Sequence, residues 1–341
     1  MSTISTAVES PETDERKRRP GLSDRARGER NLGWKLAGPA FVIMLLVTLY
    51  PIAYAIYLSL FSYRLTDPEA RRFVFLQNYT TALTDPLFWE AFVTTFIIVV
   101  VTLVIELVLG MAIAMLMHRV VIPRRTLRTV VLIPYAIITV VSAFSWLFAA
   151  QVGTGFFNHW LNAFTFGAFP LDYDWFGGRW SALTIICLSE IWKTTPFMSL
   201  LLLAGLAQVD SAMEEAAKVD GATWWQRFRK VVLPNMKAAL MVAVLFRTLD
   251  AIRIYDNPQV MTGGANKTMT LSMLVANETI NRVEIGIGSA LAVILFVIVL
   301  IVAAIFVRGF KVDLTGGGSR RWRPNPAPRP ATGCSSRPSS S

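Results

Sequence analysis

Residues 91–117 read AFVTTFIIVVVTLVIELVLGMAIAMLM, with Glu106 as the only ionisable side chain. A bilayer core about 30 Å thick is crossed by roughly 20 consecutive apolar residues in a helix, so this run is long enough to span it. The same criterion, applied outward in both directions, selects 36–60, 129–151, 181–207, 238–255 and 286–307. The span at 238–255 is the least hydrophobic and carries Arg247, Asp250 and Arg253, whereas 286–307 has no charge. The fold expected from this pattern is an all-α polytopic membrane protein with about six transmembrane helices.

Composition agrees with lipid as the solvent. Of 341 residues 54% are hydrophobic and 16% charged, against about a quarter charged in an ordinary soluble domain. The net charge of +10 does not require a nucleic-acid partner, because the bases lie between the apolar runs and at the chain ends. Counted on alternate sides of the six spans, Lys and Arg divide 24 to six. The richer side holds both termini and the connections 118–128 and 208–237, so both termini are expected in the cytoplasm of a bacterial cell.

Residues 1–35 mix acids, bases, Ser and Pro without an apolar core of their own, so no cleavable signal is expected there. That segment and the tail 309–341 are too poor in apolar residues to offset the entropy of ordering and are expected to be disordered. Between them, 36–308 reads as one membrane domain. Cys187 and Cys334 fit neither a metal-ligand spacing nor a disulfide framework. The connections 61–90, 152–180 and 256–285 face the opposite side and are long enough to contact a partner there.

The 208–237 connection is more than a polar linker. Ser211 and Glu214 have capping-box spacing, so a short helix is expected from Ser211 to Val219, with Asp220-Gly221 as its stop. Thr223 and Gln226 form a second such start, leading a helix that Leu233-Pro234 should end. Two short helices joined by a sharp bend result. A capped, membrane-parallel helix pair without a partner, with Trp224 and Trp225 at the interface, is also compatible with these residues.

Glu215-Ala216-Ala217, then Gly221, Val231 and Leu233-Pro234 stand at the signature spacing of the inner-membrane permeases of binding-protein-dependent ATP-binding-cassette importers. The chain resembles that family, in its sugar-permease branch, from about Trp34 to Val307. Further similarities lie in Trp192-Lys193-Thr194-Thr195-Pro196-Phe197, in Val260-Met261-Thr262-Gly263-Gly264, and in Ile133-Pro134-Tyr135 and Arg247-Thr248-Leu249-Asp250. The last two look most similar to permeases of actinobacterial trehalose importers. An Ala, Ala238, stands where the family commonly has a proline shortly after the motif.

The resemblance implies a type I importer permease fold and assigns Glu215, Ala216, Ala217, Asp220, Gly221 and Pro234 to the loop that docks on a cytoplasmic ATPase. It implies a second homologous permease, two nucleotide-binding subunits and an extracytoplasmic sugar-binding protein as partners. ATP and magnesium would be used by the ATPase, with no cofactor or metal held by this chain and no nucleic acid bound.

Ionisable groups inside spans usually face a bundle interior or a water-filled path. Glu190 and Lys193 are three apart, as are Arg247, Asp250 and Arg253, so each set shares a helical face and can pair locally. Pairing, gating and sugar contact are all open to them. Tyr135, Trp146, Asp250, Tyr255 and Asn257 have the hydrogen-bonding and aromatic chemistry that a sugar requires. Catalysis finds little support. His118 and His159 belong to no metal or nucleophile motif, and the Gly263-Gly264-Ala265-Asn266-Lys267-Thr268 stretch lacks the spacing of a phosphate loop. A membrane scaffold that docks a partner through 208–237 without passing solute is the alternative from a different class.

Overall fold

The structure, a computed structural model, describes residues 24–119 and 124–309. Most of the two termini expected to be disordered, and Cys334, lie outside the described residues. Helix α1 (Asp24–Ser59) begins before the predicted span. Residues 24–35 are therefore helical, in keeping with their Arg, Ala, Glu and Leu, all good helix formers.

A two-stranded hairpin follows, β1 (Phe61–Arg64) and β2 (Asp67–Phe73), which the all-α reading did not anticipate. It is antiparallel with Phe61 opposite Phe73 and an irregularity between Ser62 and Arg64. Arg71 covers it, its guanidinium carbon 4.3 Å from the Phe61 ring centre, a cation–π contact that alternation of side chains along a strand makes possible.

The chain continues through α2 (Gln77–Thr84), α3 (Pro86–Arg119), α4 (Arg124–Val131), α5 (Ile133–Ala136), α6 (Thr139–Ala150) and α7 (Phe157–Phe164). Next come α8 (Arg179–Leu206), α9 (Ser211–Val219), α10 (Trp224–Arg227), a π-turn at Phe228–Val232, α11 (Leu233–Asn235) and α12 (Lys237–Ala251). The last three helices are α13 (Asp256–Thr262), α14 (Leu271–Ala276) and α15 (Ile285–Gly309).

Among the described residues four helices are long and apolar enough to cross a membrane, within α1, α3, α8 and α15, and a fifth span exists if 224–235 and 237–251 are taken together across a 73° bend. By length and hydropathy, four or five of the about six spans expected from sequence are therefore met among the described residues. The one at 129–151 is broken into α4, α5 and α6 around Pro134, whose missing N–H and ring interrupt a helix. The one at 238–255 stops at Ala251, where Arg253 and Ile254 donate to Asp250 and Ala251 in a tight turn.

Packing divides the chain into two compact units. One takes in the described residues up to 102 with 137–193 and 250–298; the other takes in 103–136, 194–249 and the described residues from 299. In the first, Ile98, Ala143, Ile185, Ile186 and Met261 form one apolar cluster, and Phe88, Ala91, Leu271, Leu274 and Leu291 another. The core of the second joins Met111, Ala114, Met198, Leu202, Met236 and Ala243. Small residues allow its helices to close up: a Cβ built on Gly205 would lie 2.6 Å from the Ala239 Cβ, and one on Gly110 would lie 3.0 Å from Met198 Cγ. Without a hydrophobic drive between helices in lipid, such close approach is what holds them.

Candidate functional site

The 208–237 connection lies wholly within the second unit and is built by its caps. Asp210, not Ser211, is the N-cap of α9, because its carboxylate accepts from the Ala212 N–H at 2.9 Å. The expected Ser211–Glu214 box therefore does not form, and the cap falls one residue earlier, an Asp being as good a cap as a Ser. At the other end Gly221 adopts φ +77°, and Ala222 N–H reaches back to Ala217 O at 3.0 Å, the left-handed closure that favours glycine.

The Thr223–Gln226 capping box forms as expected, with Thr223 N–H donating to Gln226 Oε1 at 2.8 Å. The helix it starts does not end at Leu233-Pro234. The π-turn has already offset the ladder, Leu233 N–H donating to Phe228 O, so the proline without an N–H is accommodated and the run continues to Asn235. The bend falls instead at Met236.

Glu215 and Ala216 are exposed, Ala217 is half-buried, and Asp220, Gly221 and Pro234 are exposed. The loop thus presents the signature residues outward. Behind them is an open concavity of about 390 Å³, lined among others by His118, Arg119, Glu214, Lys218, Trp224 and Arg227. Arg119 lies 5.9 Å from the Trp224 ring centre and Glu214 is 4.0 Å from Arg227. A mixed-charge, aromatic-walled surface of this kind can seat a protein segment.

A buried polar triad occupies the interior of the same unit. The Arg247 guanidinium donates twice to Glu106, Nε to Oε2 at 2.6 Å and Nη2 to Oε1 at 2.9 Å, and Thr194 Oγ1 donates to Oε1 at 2.7 Å. All three are buried. Helical spacing groups Arg247 with Asp250 and Arg253, and its fork also engages a carboxylate 141 residues away. Glu106 was visible as an interruption in the most apolar-looking run; Thr194 gave no signal beyond its polarity, and their convergence could not be read from spacing.

The first unit holds the other intramembrane pair. Glu190, three residues from Lys193, accepts a hydrogen bond from Asn257 Nδ2 at 2.6 Å, while Lys193 Nζ donates to the Ile137 carbonyl. Asn257 is fully buried and its Oδ1 has no hydrogen-bond partner among the described residues. Of the remaining path candidates in this unit, Trp146 is packed edge-on against Trp192 and Phe157 at 6.1 and 5.4 Å. Tyr255 lines a cavity of about 100 Å³ with Gln259, Asn277 and Asn281, below the roughly 300 Å³ of a small-molecule pocket. Asp250 and Arg253 are exposed. In the second unit Tyr135 stacks on Phe197 at 4.9 Å, half-exposed. In the first unit, the cavity at Tyr255 takes in none of Trp146, Asp250 and Asn257.

Comparison with known proteins assigns these features a context. Residues 106–310 match the family described as binding-protein-dependent transport system inner membrane component. The trehalose transport system permease protein of Mycobacterium tuberculosis is 45% identical over 289 residues, covering 85% of this chain and 92% of that protein. The sulfoquinovosyl glycerol transport system permease protein of Agrobacterium fabrum is 36% identical, covering 82% and 91%. A chain in the crystal structure of a bacterial ABC transporter involved in the import of the acidic polysaccharide alginate superposes with a TM-score of 0.70 at 19% identity, covering 84% of this chain and 99% of that one. At that identity the likeness concerns the fold, which is the importer-permease fold.

Proposed function

The chain belongs to the family of binding-protein-dependent transport system inner membrane components, and on that premise we propose that it is a permease subunit of an ATP-driven sugar importer. It is a multi-pass membrane transport subunit, not an enzyme. Relatives named for trehalose, sulfoquinovosyl glycerol and trehalose/maltose transport support a sugar as the solute, and trehalose or another oligosaccharide is the substrate class we favour.

The observation that carries this reading is the outward presentation of Glu215, Ala216 and Gly221 on a doubly capped helix pair within the family-matched region. That geometry suits docking to a cytoplasmic ATPase, which supplies the ATP and magnesium chemistry. Two nucleotide-binding subunits, a second homologous permease and an extracytoplasmic binding protein complete the assembly. The Lys and Arg asymmetry supports cytoplasmic termini in the bacterial inner membrane.

The path is built jointly with the second permease, in keeping with the absence of a ligand-sized pocket around Tyr255. Tyr135, Trp146, Asp250, Tyr255 and Asn257 are its candidate contacts in this chain. Glu190 and Lys193, with Arg247 and Arg253, set its electrostatics. Rigid-body movement of the loop helices switches the path between outward-facing and inward-facing states.

Purification of the tagged chain from its native membrane tests the proposal, alongside Glu215→Lys and Gly221→Pro at equal abundance. Recovery of a nucleotide-binding subunit with the parent, its loss from both variants, and sugar-stimulated ATP hydrolysis by the reconstituted parent are expected. An ATPase that stays bound to both variants removes the coupling role; hydrolysis indifferent to every sugar removes the substrate class.

A further inference from the structure

Between Gln151 and Leu171 the chain has no charged residue, only His159, yet four of its six aromatic side chains are exposed. Phe156, Trp160 and Phe164 recur every fourth residue and share one face of α7, with 43%, 60% and 79% of their surface exposed. Phe166, just beyond, is 99% exposed.

The opposite face of α7 is fastened to its own return segment. Asn158 Nδ2 donates to Leu171 O and Tyr173 O at 3.0 and 2.9 Å, and its Oδ1 accepts from Trp175 Nε1 at 2.7 Å. Asn162 Nδ2 donates to Phe169 O at 2.6 Å. The aromatic face is therefore held in position by a braced loop.

Phe166 adds a second, independent signal. Gly167 N–H bonds to Asn162 O at 2.8 Å, so Phe166 takes the left-handed position at φ +52° that ends such a helix. Glycine is the usual occupant there, and a bulky residue pays strain. A phenylalanine in that position, its ring left uncovered by the described residues, extends the apolar face of α7.

The location of the loop identifies that environment. The chain leaves α6 at Ala150 and enters the apolar α8 at Arg179, and Phe157 at the start of α7 packs on Trp146 one turn from the end of α6. The helix thus lies at the mouth of a membrane-inserted segment. Trp is enriched at the membrane–water interface, and an amphipathic helix lying there buries a face of Trp, Phe or Leu to about the acyl boundary. The carboxylates Asp172 and Asp174 stand on the return segment, off the aromatic face, and Asp174 caps the Phe176 N–H at 2.9 Å.

We propose that α7 and Phe166 form an interfacial wedge, with Phe156, Trp160, Phe164 and Phe166 inserted into the lipid leaflet on the side where the 151–178 connection emerges. The wedge anchors that connection to the bilayer surface and fixes the height of the α6 and α8 ends. It rests on the membrane assignment alone and is independent of which solute is carried.

Spin labels on Phe164→Cys, Phe166→Cys and Asp172→Cys, in a Cys187→Ala, Cys334→Ser background, test it in the full complex reconstituted into phosphatidylcholine/phosphatidylglycerol vesicles. Collision with oxygen is expected to exceed collision with a water-soluble nickel chelate at 164 and 166, and the order to reverse at 172. Chelate access at 164 and 166 overturns the proposal by putting the face in water; shielding from both reagents overturns it by putting a protein there. As a measurement without cysteines, brominated-lipid quenching of the parent should fall on Trp160→Phe, and unchanged quenching counts equally against the wedge.

Discussion

Arg247 and Glu106 meet as a two-pronged ion pair, 2.6 and 2.9 Å long, with side chains 5% and 0% exposed. Removing one partner of such a pair leaves a charge without compensation in a low-dielectric interior, which costs about 3–5 kcal/mol, whereas replacing both by apolar groups of similar volume is often near neutral. Glu106→Leu is therefore expected to lower the thermal transition of the detergent-solubilised complex sharply. Glu106→Leu with Arg247→Met should recover most of the loss; a double variant as unstable as the single one would mean that the pair is worth more than its desolvation.

Gly205 lies where an added Cβ would meet the Ala239 Cβ at 2.6 Å. Neither atom is a flexible side-chain end, so Gly205→Ala must push α8 and α12 apart at a cost of about 1–3 kcal/mol. Unfolding in denaturant measures it. Ala239→Gly should restore stability in the Gly205→Ala background, and failure to do so would place the strain elsewhere.

Asn158 makes three hydrogen bonds that close the 151–178 loop. Asn158→Ala leaves two carbonyls and the Trp175 indole without partners, at a cost of about 1–3 kcal/mol. Hydrogen exchange across 157–176 is expected to accelerate at least tenfold while α3 and α8 stay protected. Uniform acceleration over the whole chain would contradict a local brace.

Glu278, in the connection between α14 and α15, is buried beside Arg282, with 3.1 Å between charged atoms. Burial pushes its carboxyl above the ordinary 4.5; Arg282 pulls it down, and Glu284 and Asp85 add to the rise. Because the folded state holds this proton more tightly, stability is fully present below the ordinary value and declines as pH rises through the raised one, by at most about 1.4 kcal/mol per pH unit. Thermal transitions measured from pH 4 upward should show this decline, and Glu278→Gln should flatten it. An unaltered slope in the variant would assign the proton to another group.

The apolar runs 91–117, 181–207 and 286–307 were legible because lipid demands length and hydrophobicity and nothing subtler. The break around Pro134 follows from the proline's missing N–H and its ring, and its extent from how α4, α5 and α6 divide the chain. The bend of 208–237 was readable from Gly221 and from the Thr223–Gln226 box, since capping is local chemistry. Asp210 was overlooked in favour of the neighbouring Ser211, two cap residues of equal quality side by side. Glu106 with Arg247, and Asn257 with Glu190, are products of tertiary packing across 141 and 67 residues. No helical period encodes them. The hairpin at 61–73 went unread because its alternation is short and includes charges on both strands.

The 73° corner at Met236 works as a bell-crank. It is not a loose joint: Met236 donates to Val232 O at 3.0 Å, accepts from Leu240 N–H at 2.9 Å, and is 1% exposed. A push on the 224–235 arm is expected to be redirected along α12 instead of being absorbed at the corner. Arg247 sits about 15 Å up that arm by helical rise, so a swing of about 5° carries it a little over 1 Å. Added to the 2.6 Å bond to Glu106, that distance exceeds the roughly 3.5 Å limit of a hydrogen bond. A swing directed along that bond is thus expected to cost the pair its hydrogen bonds within a few degrees, while the two charges stay near each other.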